Sequence, residues 1–135
     1  MALDEFKLNI RVKLAALWTA LMFLYIYGDY FKFYIPGEMG KMVAEDTMLN
    51  TPLRLFAASL LMTLPPLMII LSVMAKATLA RIFNIVFGIF FTAIMVLIAA
   101  VSIHPEWAAY AFYAIIESII TIIIVIQAWR WPKDR

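Results

Sequence analysis

The sequence contains no cysteine and only one histidine. Without cysteine the chain forms no disulfide, no thiolate metal site and no thiol nucleophile. A single histidine supplies neither a protein zinc site nor a bis-histidine haem. The sequence also lacks a Gly-rich phosphate loop and a Ser-His-Asp set. We therefore expect a protein that is not an enzyme and that holds no cofactor or metal.

Charged residues are scarce as well, at 15% of 135 residues, and the net charge is +2. They form no basic stripe, so nucleic acid is not an expected partner. Hydrophobic residues make up 66% of the chain, whereas soluble domains contain about 45–50%. A water-soluble core of this size could not hide so much apolar side chain. The composition predicts one domain, residues 1–135, whose partner is the lipid bilayer.

Long uncharged runs divide the chain into membrane spans. A hydrocarbon core of about 30 Å requires roughly 20 apolar helical residues, and residues 82–103 form an uncharged run of 22. We predict spans at about 12–34, 54–75, 80–103 and 107–130. These runs are twice as long as barrel strands, so helices are favoured. The predicted fold class is all-α: an antiparallel four-helix transmembrane bundle of two hairpins, which show no residue-level similarity to each other.

Lysine and arginine predict the orientation of the bundle. The side of the bundle that holds both termini and the 76–81 turn carries eight of the eleven basic residues, and the other side carries Lys32, Lys41 and Arg54. The positive-inside rule then places both termini in the cytoplasm.

Glu117 is the one charged residue between Trp107 and Trp129 and lies close to the bilayer midplane. An ionised carboxylate there costs about 2.5–3.5 kcal/mol on insertion scales, so we expect it to face protein or water and to be paired or protonated. Helical spacing places it on one polar and aromatic stripe, which consists of Glu106, Tyr110, Tyr113, Glu117 and Thr121. The stripe indicates either a proton, cation or ligand site or a buried acid that joins neighbouring helices.

Asp29 and Lys32 lie three residues apart near the outer end of the first span, so their side chains can touch. One interpretation makes Asp29 the entrance of a path to Glu117. The other is an interfacial ion pair, with Lys32 reaching the headgroups.

Pro65 and Pro66 remove two N–H donors from the middle of the second span, which predicts a helix kink with two unpaired carbonyls, those of residues 61 and 62. Broken helices of this kind can form binding sites, and a simple kink is the alternative. Asn84 recurs with Gly88 and Thr92 every four residues, a spacing typical of close helix contact. Asn84 could also complete a polar cavity.

A further set of residues, spread over nearly the whole chain, consists of Leu17-Trp18, Asp29, Pro36-Gly37, Pro66, Met68-Ile69, Leu71-Ser72, Arg81, Asn84, Tyr110, Phe112, Glu117, Ala128-Trp129 and Trp131. With these residues the chain resembles an uncharacterised family of small bacterial four-span membrane proteins, a domain of unknown function. More loosely it resembles DoxX-like membrane proteins. The resemblance implies a multi-pass protein of the bacterial inner membrane and supplies no activity. Members tend to carry a Glu shortly before the proline of the second span, where this chain reads Thr63-Leu64-Pro65.

The leading functional hypothesis is a channel or transporter for a proton, small ion or polar small molecule, working as a homo-oligomer. Glu117 would carry the charge at the site, and Asp29 would form the outer vestibule. The lining would be Tyr110, Tyr113 and Thr121, completed by Asn84 and the carbonyls at Pro65 and Pro66. The alternatives are a structural or assembly subunit of a larger membrane complex, or a lipid- or quinone-binding membrane protein.

Overall fold

The computed structural model describes residues 2–45 and 49–133. The helices in this part of the chain are α1 (Ile10–Lys32), α2 (Glu38–Val43), α3 (Pro52–Met74), α4 (Ala77–Val101) and α5 (Ala108–Trp129), with a 3-10 turn at Pro105–Trp107 before α5. Within the described residues, α1, α3, α4 and α5 are long and apolar enough to cross a membrane. The predicted all-α four-span fold class is therefore confirmed. Helix ends differ from the expected span bounds by up to three residues, the largest difference being the start of α4.

Polar caps explain where several helices begin. The Asn9 side chain accepts a hydrogen bond from the backbone N–H of Arg11 at 2.8 Å, and the Thr51 hydroxyl accepts one from the N–H of Arg54 at 3.1 Å. Each cap satisfies a donor that has no partner within the helix. Gly37 precedes α2 with φ of 85°, a left-handed conformation that glycine adopts without steric cost.

The four spanning helices form a ring in the order α1, α3, α4, α5. α4 packs most extensively against α5, α1 packs against both α3 and α5, and the contact between α3 and α4 is the smallest of the four. Only residues 75–76 separate α3 from α4, so these two helices run antiparallel. We call the side with residues 2–9, 75–76 and 130–133 the terminal side, and the opposite side the loop side. The placement of the terminal side in the cytoplasm stays a prediction.

The terminal half of the bundle is filled with side chains. Leu14, Trp18 and Leu21 of α1 are fully buried and belong to one core cluster with Ile124 and Ala128 of α5. Their spacing along α1 is that of one helix face, which explains why this helix turns the same side inward for its whole length.

Two arginines close the terminal ends of the helices, and each acts within its own hairpin. Arg11 of α1 donates through Nη1 to the carbonyls of Ser72 and Ala75 at the end of α3, at 3.1 and 2.6 Å. Arg81 of α4 donates through Nε to the carbonyl of Ala128 at 3.1 Å and through Nη2 to that of Trp129 at 3.2 Å, at the end of α5. The last carbonyls of a helix have no partner within it, and a cation at this end is favourable.

Each of these guanidinium groups also lies over a tryptophan ring. Arg11 lies 5.5 Å from the centroid of Trp131, and Arg81 lies 5.6 Å from that of Trp129. The expectation that the two hairpins share no residue-level feature is therefore wrong. The repeat was missed because the arginines and their carbonyl partners are far apart in sequence.

Candidate functional site

A cavity of about 130 Å³ lies in the loop half of the bundle, and all four spanning helices line it. This volume is large enough for several water molecules. The lining contains four polar side chains, Tyr25, Asp29, Tyr110 and Glu117. The rest of the wall is Gly28, Leu61, Met62, Phe91, Ile94, Met95, Ile98 and Ala114. Three site residues expected from sequence, Glu117, Asp29 and Tyr110, thus share one cavity.

Glu117 lies at the inner end of this cavity. It is 5% exposed and sits about 14 Å along α5 from Ala108, at roughly 1.5 Å per residue, close to the middle of the span. Within residues 2–45 and 49–133 its carboxylate has no hydrogen-bond or ion-pair partner. Gly28 leaves room in front of it, because a Cβ at Gly28 would lie 3.8 Å from Glu117 Oε1. A buried carboxylate without a partner is costly in a membrane, so it requires a proton or a cation from the cavity.

Asp29 lies at the edge of the same cavity. Its residue is exposed, and it sits one turn before the end of α1, nearer the loop side than Glu117 is. Asp29 and Lys32 form no ion pair in the described structure. Lys32 Nζ lies instead 5.7 Å from the centroid of the Trp107 ring. The carboxylate of Asp29 therefore lies at the rim without an ion-pair partner among the described residues.

Tyr25 is a cavity residue that the sequence analysis did not single out. It is 7% exposed, its ring centroid lies 6.1 Å from that of Phe91, and its hydroxyl is buried without a hydrogen-bond partner among the described residues. An unsatisfied buried hydroxyl costs about 1–3 kcal/mol. The available signal was its position four residues before Asp29, on the same face of α1.

The proline pair of α3 borders the cavity through the preceding turn. α3 continues as helix from Pro52 to Met74. Leu61 and Met62 both line the cavity, and their carbonyls are the ones that Pro65 and Pro66 leave without a helical donor. The unpaired carbonyls and the kink both stay predictions.

Asn84 does not line the cavity, and it joins three helices in the terminal half. Its side-chain oxygen accepts from Trp18 Nε1 at 2.7 Å, and its Nδ2 donates to the Ala80 carbonyl at 2.7 Å and to Ser72 Oγ at 3.2 Å. Asn84 and Trp18 are each 0% exposed. These bonds satisfy the polar atoms of the Asn84 amide. The residue therefore serves helix packing, which is the structural interpretation of its spacing with Gly88 and Thr92.

Two members of the α5 stripe also lie outside the cavity. Thr121 is 0% exposed and its hydroxyl lies 2.6 Å from that of Thr92 on α4. Tyr113 packs against Phe31 with ring centroids 6.1 Å apart. The stripe is divided because α5 turns Tyr110 and Glu117 toward the cavity, while Thr121 meets α4.

The α4–α5 contact near Thr121 is close because Gly88 has no side chain. A Cβ at Gly88 would lie 2.6 Å from Val125 Cγ2 and 3.5 Å from the carbonyl oxygen of Thr121. Thr92 follows Gly88 by one turn, so the glycine spacing serves helix contact, as expected for small residues in membrane helices.

The cavity therefore combines a deep acid, a rim acid and two phenols within mainly apolar walls. Such a set can hold a proton or compensate one positive charge, and its phenols can donate or accept hydrogen bonds. In the described part of the chain, no group of three or more His, Cys, Asp or Glu residues is placed to hold a metal ion.

Comparison with known proteins yields one match. A family model described as a family of unknown function (DUF6326) matches residues 1–135. No curated protein and no solved structure matches the chain. The family match confirms the resemblance to a four-span family of unknown function, and it covers every residue of the cavity.

Proposed function

The chain belongs to the family of unknown function DUF6326, and from its own cavity we propose that it carries a proton, a small cation or a polar small molecule across the membrane, with Glu117 as the binding group. One observation supports this above all. Glu117 is 5% exposed, lines a cavity, and has no partner for its carboxylate among the described residues. A carboxylate in that position gains most from a positive charge that enters the cavity.

The arrangement of the two acids suggests the order of events. Asp29, at the exposed rim, attracts a positive charge from the loop side, since it forms no ion pair among the described residues. Glu117 then holds the charge near the middle of the span. Tyr110 and Tyr25 line the same cavity, and Tyr25 does so with its hydroxyl buried.

The filled terminal half favours a transporter over an open channel. Leu14, Trp18 and Leu21 are 0% exposed and occupy the space between the cavity and the terminal side. A cargo held at Glu117 reaches the terminal side only after these helices rearrange. Transporters work in this way, with a site near the midplane and access from one side at a time.

Flux into liposomes tests the proposal. The full chain is reconstituted, and movement of protons, K⁺ and tetramethylammonium is followed for the natural sequence and for Glu117→Gln. Gln keeps the shape of Glu and removes its charge, so we expect flux to fall to the level of empty liposomes. Glu106→Gln is the matched control, because Glu106 is exposed in the 3-10 turn and lies outside the cavity.

Two outcomes would reject the transport proposal: no flux above empty liposomes for any of the three ions, or equal flux in Glu117→Gln and the natural sequence. Size-exclusion profiles and helix content show whether the variants are folded. The two alternatives remain predictions with distinct signatures. A structural subunit would lose stability or partners with Glu117→Gln and show no flux, and a lipid or quinone binder would retain a stoichiometric apolar molecule through purification. The homo-oligomer and the inner membrane also remain predictions.

A further inference from the structure

Building on the proposed function, we propose that the cargo is a small organic ammonium ion, about the size of tetramethylammonium, and not a metal ion. The proposal rests on the combination of one deep carboxylate and several aromatic rings in a small, mostly apolar cavity. Glu117, Tyr25, Phe91 and Tyr110 all line it.

Aromatic rings and one carboxylate suit an alkylated ammonium. Such a cation has its charge spread over methyl groups, needs no oxygen ligands, and is attracted to the faces of Tyr and Phe rings. Tyr25 and Phe91 lie side by side, with ring centroids 6.1 Å apart. Glu117 supplies the one negative charge that neutralises a monocation deep in the span.

The same wall is poorly suited to a hard metal ion. Ca²⁺ takes six to eight oxygen ligands and Mg²⁺ requires octahedral coordination. The cavity offers the side-chain oxygens of Asp29, Glu117 and two tyrosines, and Asp29 stands at the exposed rim. The remaining wall is largely aliphatic or thioether, including Leu61, Ile94 and Met95. Because Asp29 stands at the rim and the Tyr25 hydroxyl is buried, a dehydrated metal ion next to Glu117 would not reach all of these oxygens.

The cavity has room for a small ion. Its volume of about 130 Å³ is enough for several waters, which also suits an ammonium nitrogen with a few methyl groups. Gly28 contributes to this volume, since a Cβ there would approach both Glu117 Oε1 and Tyr113 Cδ2 to within 3.8 Å.

Equilibrium binding of radiolabelled tetramethylammonium to the full chain tests the inference. The protein is purified in a maltoside detergent, which carries no ammonium group. We expect saturable binding that survives a hundredfold excess of Na⁺ or K⁺. Glu117→Gln should weaken binding by about 30-fold or more, because it removes the charged partner of a desolvated pair.

Tyr110 distinguishes ring attraction from oxygen coordination. Tyr110→Phe keeps the ring and should bind within about twofold of the natural sequence, whereas Tyr110→Ala should weaken binding about tenfold. Tyr27→Ala is the matched control, because Tyr27 lies on α1, is 53% exposed and does not line the cavity. Tyr110→Phe removes one oxygen only, so a loss of binding well beyond twofold in this variant would by itself contradict ring attraction, even if the alanine variant fails to fold.

Three results would overturn the organic ammonium: no saturable binding, displacement by Na⁺ or K⁺ at equal concentration, or the same loss in Tyr110→Phe as in Tyr110→Ala. The failure of this inference is separable from failure of the proposed transport. Glu117-dependent flux of protons or K⁺ without tetramethylammonium binding rejects the ammonium and keeps the transport function. Glu117-dependent binding without any flux keeps the ammonium site and rejects transport.

Discussion

Replacing Gly88 with alanine tests how closely α4 and α5 are packed. The added Cβ would lie 2.6 Å from Val125 Cγ2, whereas carbon atoms attract best at about 3.5–4.0 Å. About 1 Å of space is therefore missing. Val125 is β-branched and has essentially one comfortable rotamer in a helix, so either it leaves that rotamer or the two helices separate.

The expected magnitude follows from two opposed terms. Overpacking of this kind costs about 1–3 kcal/mol, and replacing glycine by alanine inside a helix recovers about 1 kcal/mol. We expect Gly88→Ala to lower the free energy of unfolding by about 0–2 kcal/mol. Gly28→Ala is the matched control: it gains the same helix term, but its Cβ would meet Tyr113 Cδ2 at 3.7 Å and Glu117 Oε1 at 3.8 Å, which are ordinary contacts.

The measurement is unfolding by sodium dodecyl sulfate in detergent micelles, followed by circular dichroism. The difference between the two variants cancels the helix term, so Gly28→Ala should be about 1–3 kcal/mol more stable than Gly88→Ala. Adding Val125→Ala to Gly88→Ala removes the clashing methyl, and the double-mutant cycle should show a favourable coupling energy. Equal stability of the two glycine variants, or zero coupling with Val125, would refute the close α4–α5 contact.

Two further predictions concern buried polar groups. The indole N–H of Trp18 donates to Asn84 at 2.7 Å, and Asn84→Leu would leave it buried without an acceptor. The free energy of unfolding in the same assay should therefore fall by about 1–3 kcal/mol. No change would mean that this bond does not stabilise the bundle. Tyr25→Phe removes a hydroxyl that has no partner in the described residues. The free energy of unfolding should therefore stay equal or rise by up to about 1–3 kcal/mol, and tetramethylammonium binding should not change. A clear loss of stability would show that the hydroxyl is bonded.

Four spans could be predicted from the sequence because hydrocarbon thickness fixes the length of an uncharged run, and lipid leaves the backbone no choice but to pair within each helix. The inward position of Glu117 followed from the same physics, since an acid facing acyl chains would be too costly. The start of α4 was placed three residues late because the sequence analysis assigned residues 76–81, which are bounded by Lys76 and Arg81, to a turn, whereas the helix already begins at Ala77.

The division of the polar residues between cavity and packing could not be predicted. Periodicity assigns a residue to a face of its helix, and it does not say which neighbour that face meets. Thr121 and Glu117 are one turn apart, yet Thr121 meets Thr92 while Glu117 meets open space beside Gly28. Tyr25 shares the face of α1 that carries Asp29, but only the structure shows that its hydroxyl is buried without a partner among the described residues.

The arginine bonds described above hold each hairpin together and leave the α3–α4 boundary between the hairpins without such a bond. All four guanidinium bonds stay inside a hairpin: Arg11 ties α1 to α3, and Arg81 ties α4 to α5. Between the hairpins, α3 and α4 touch only sparsely, whereas α1 and α5 pack broadly. Separating α3 from α4 would leave those four bonds intact and would break the hydrogen bond from Asn84 to Ser72, so the buried Asn84 amide is the polar tie across the sparsest of the four helix contacts.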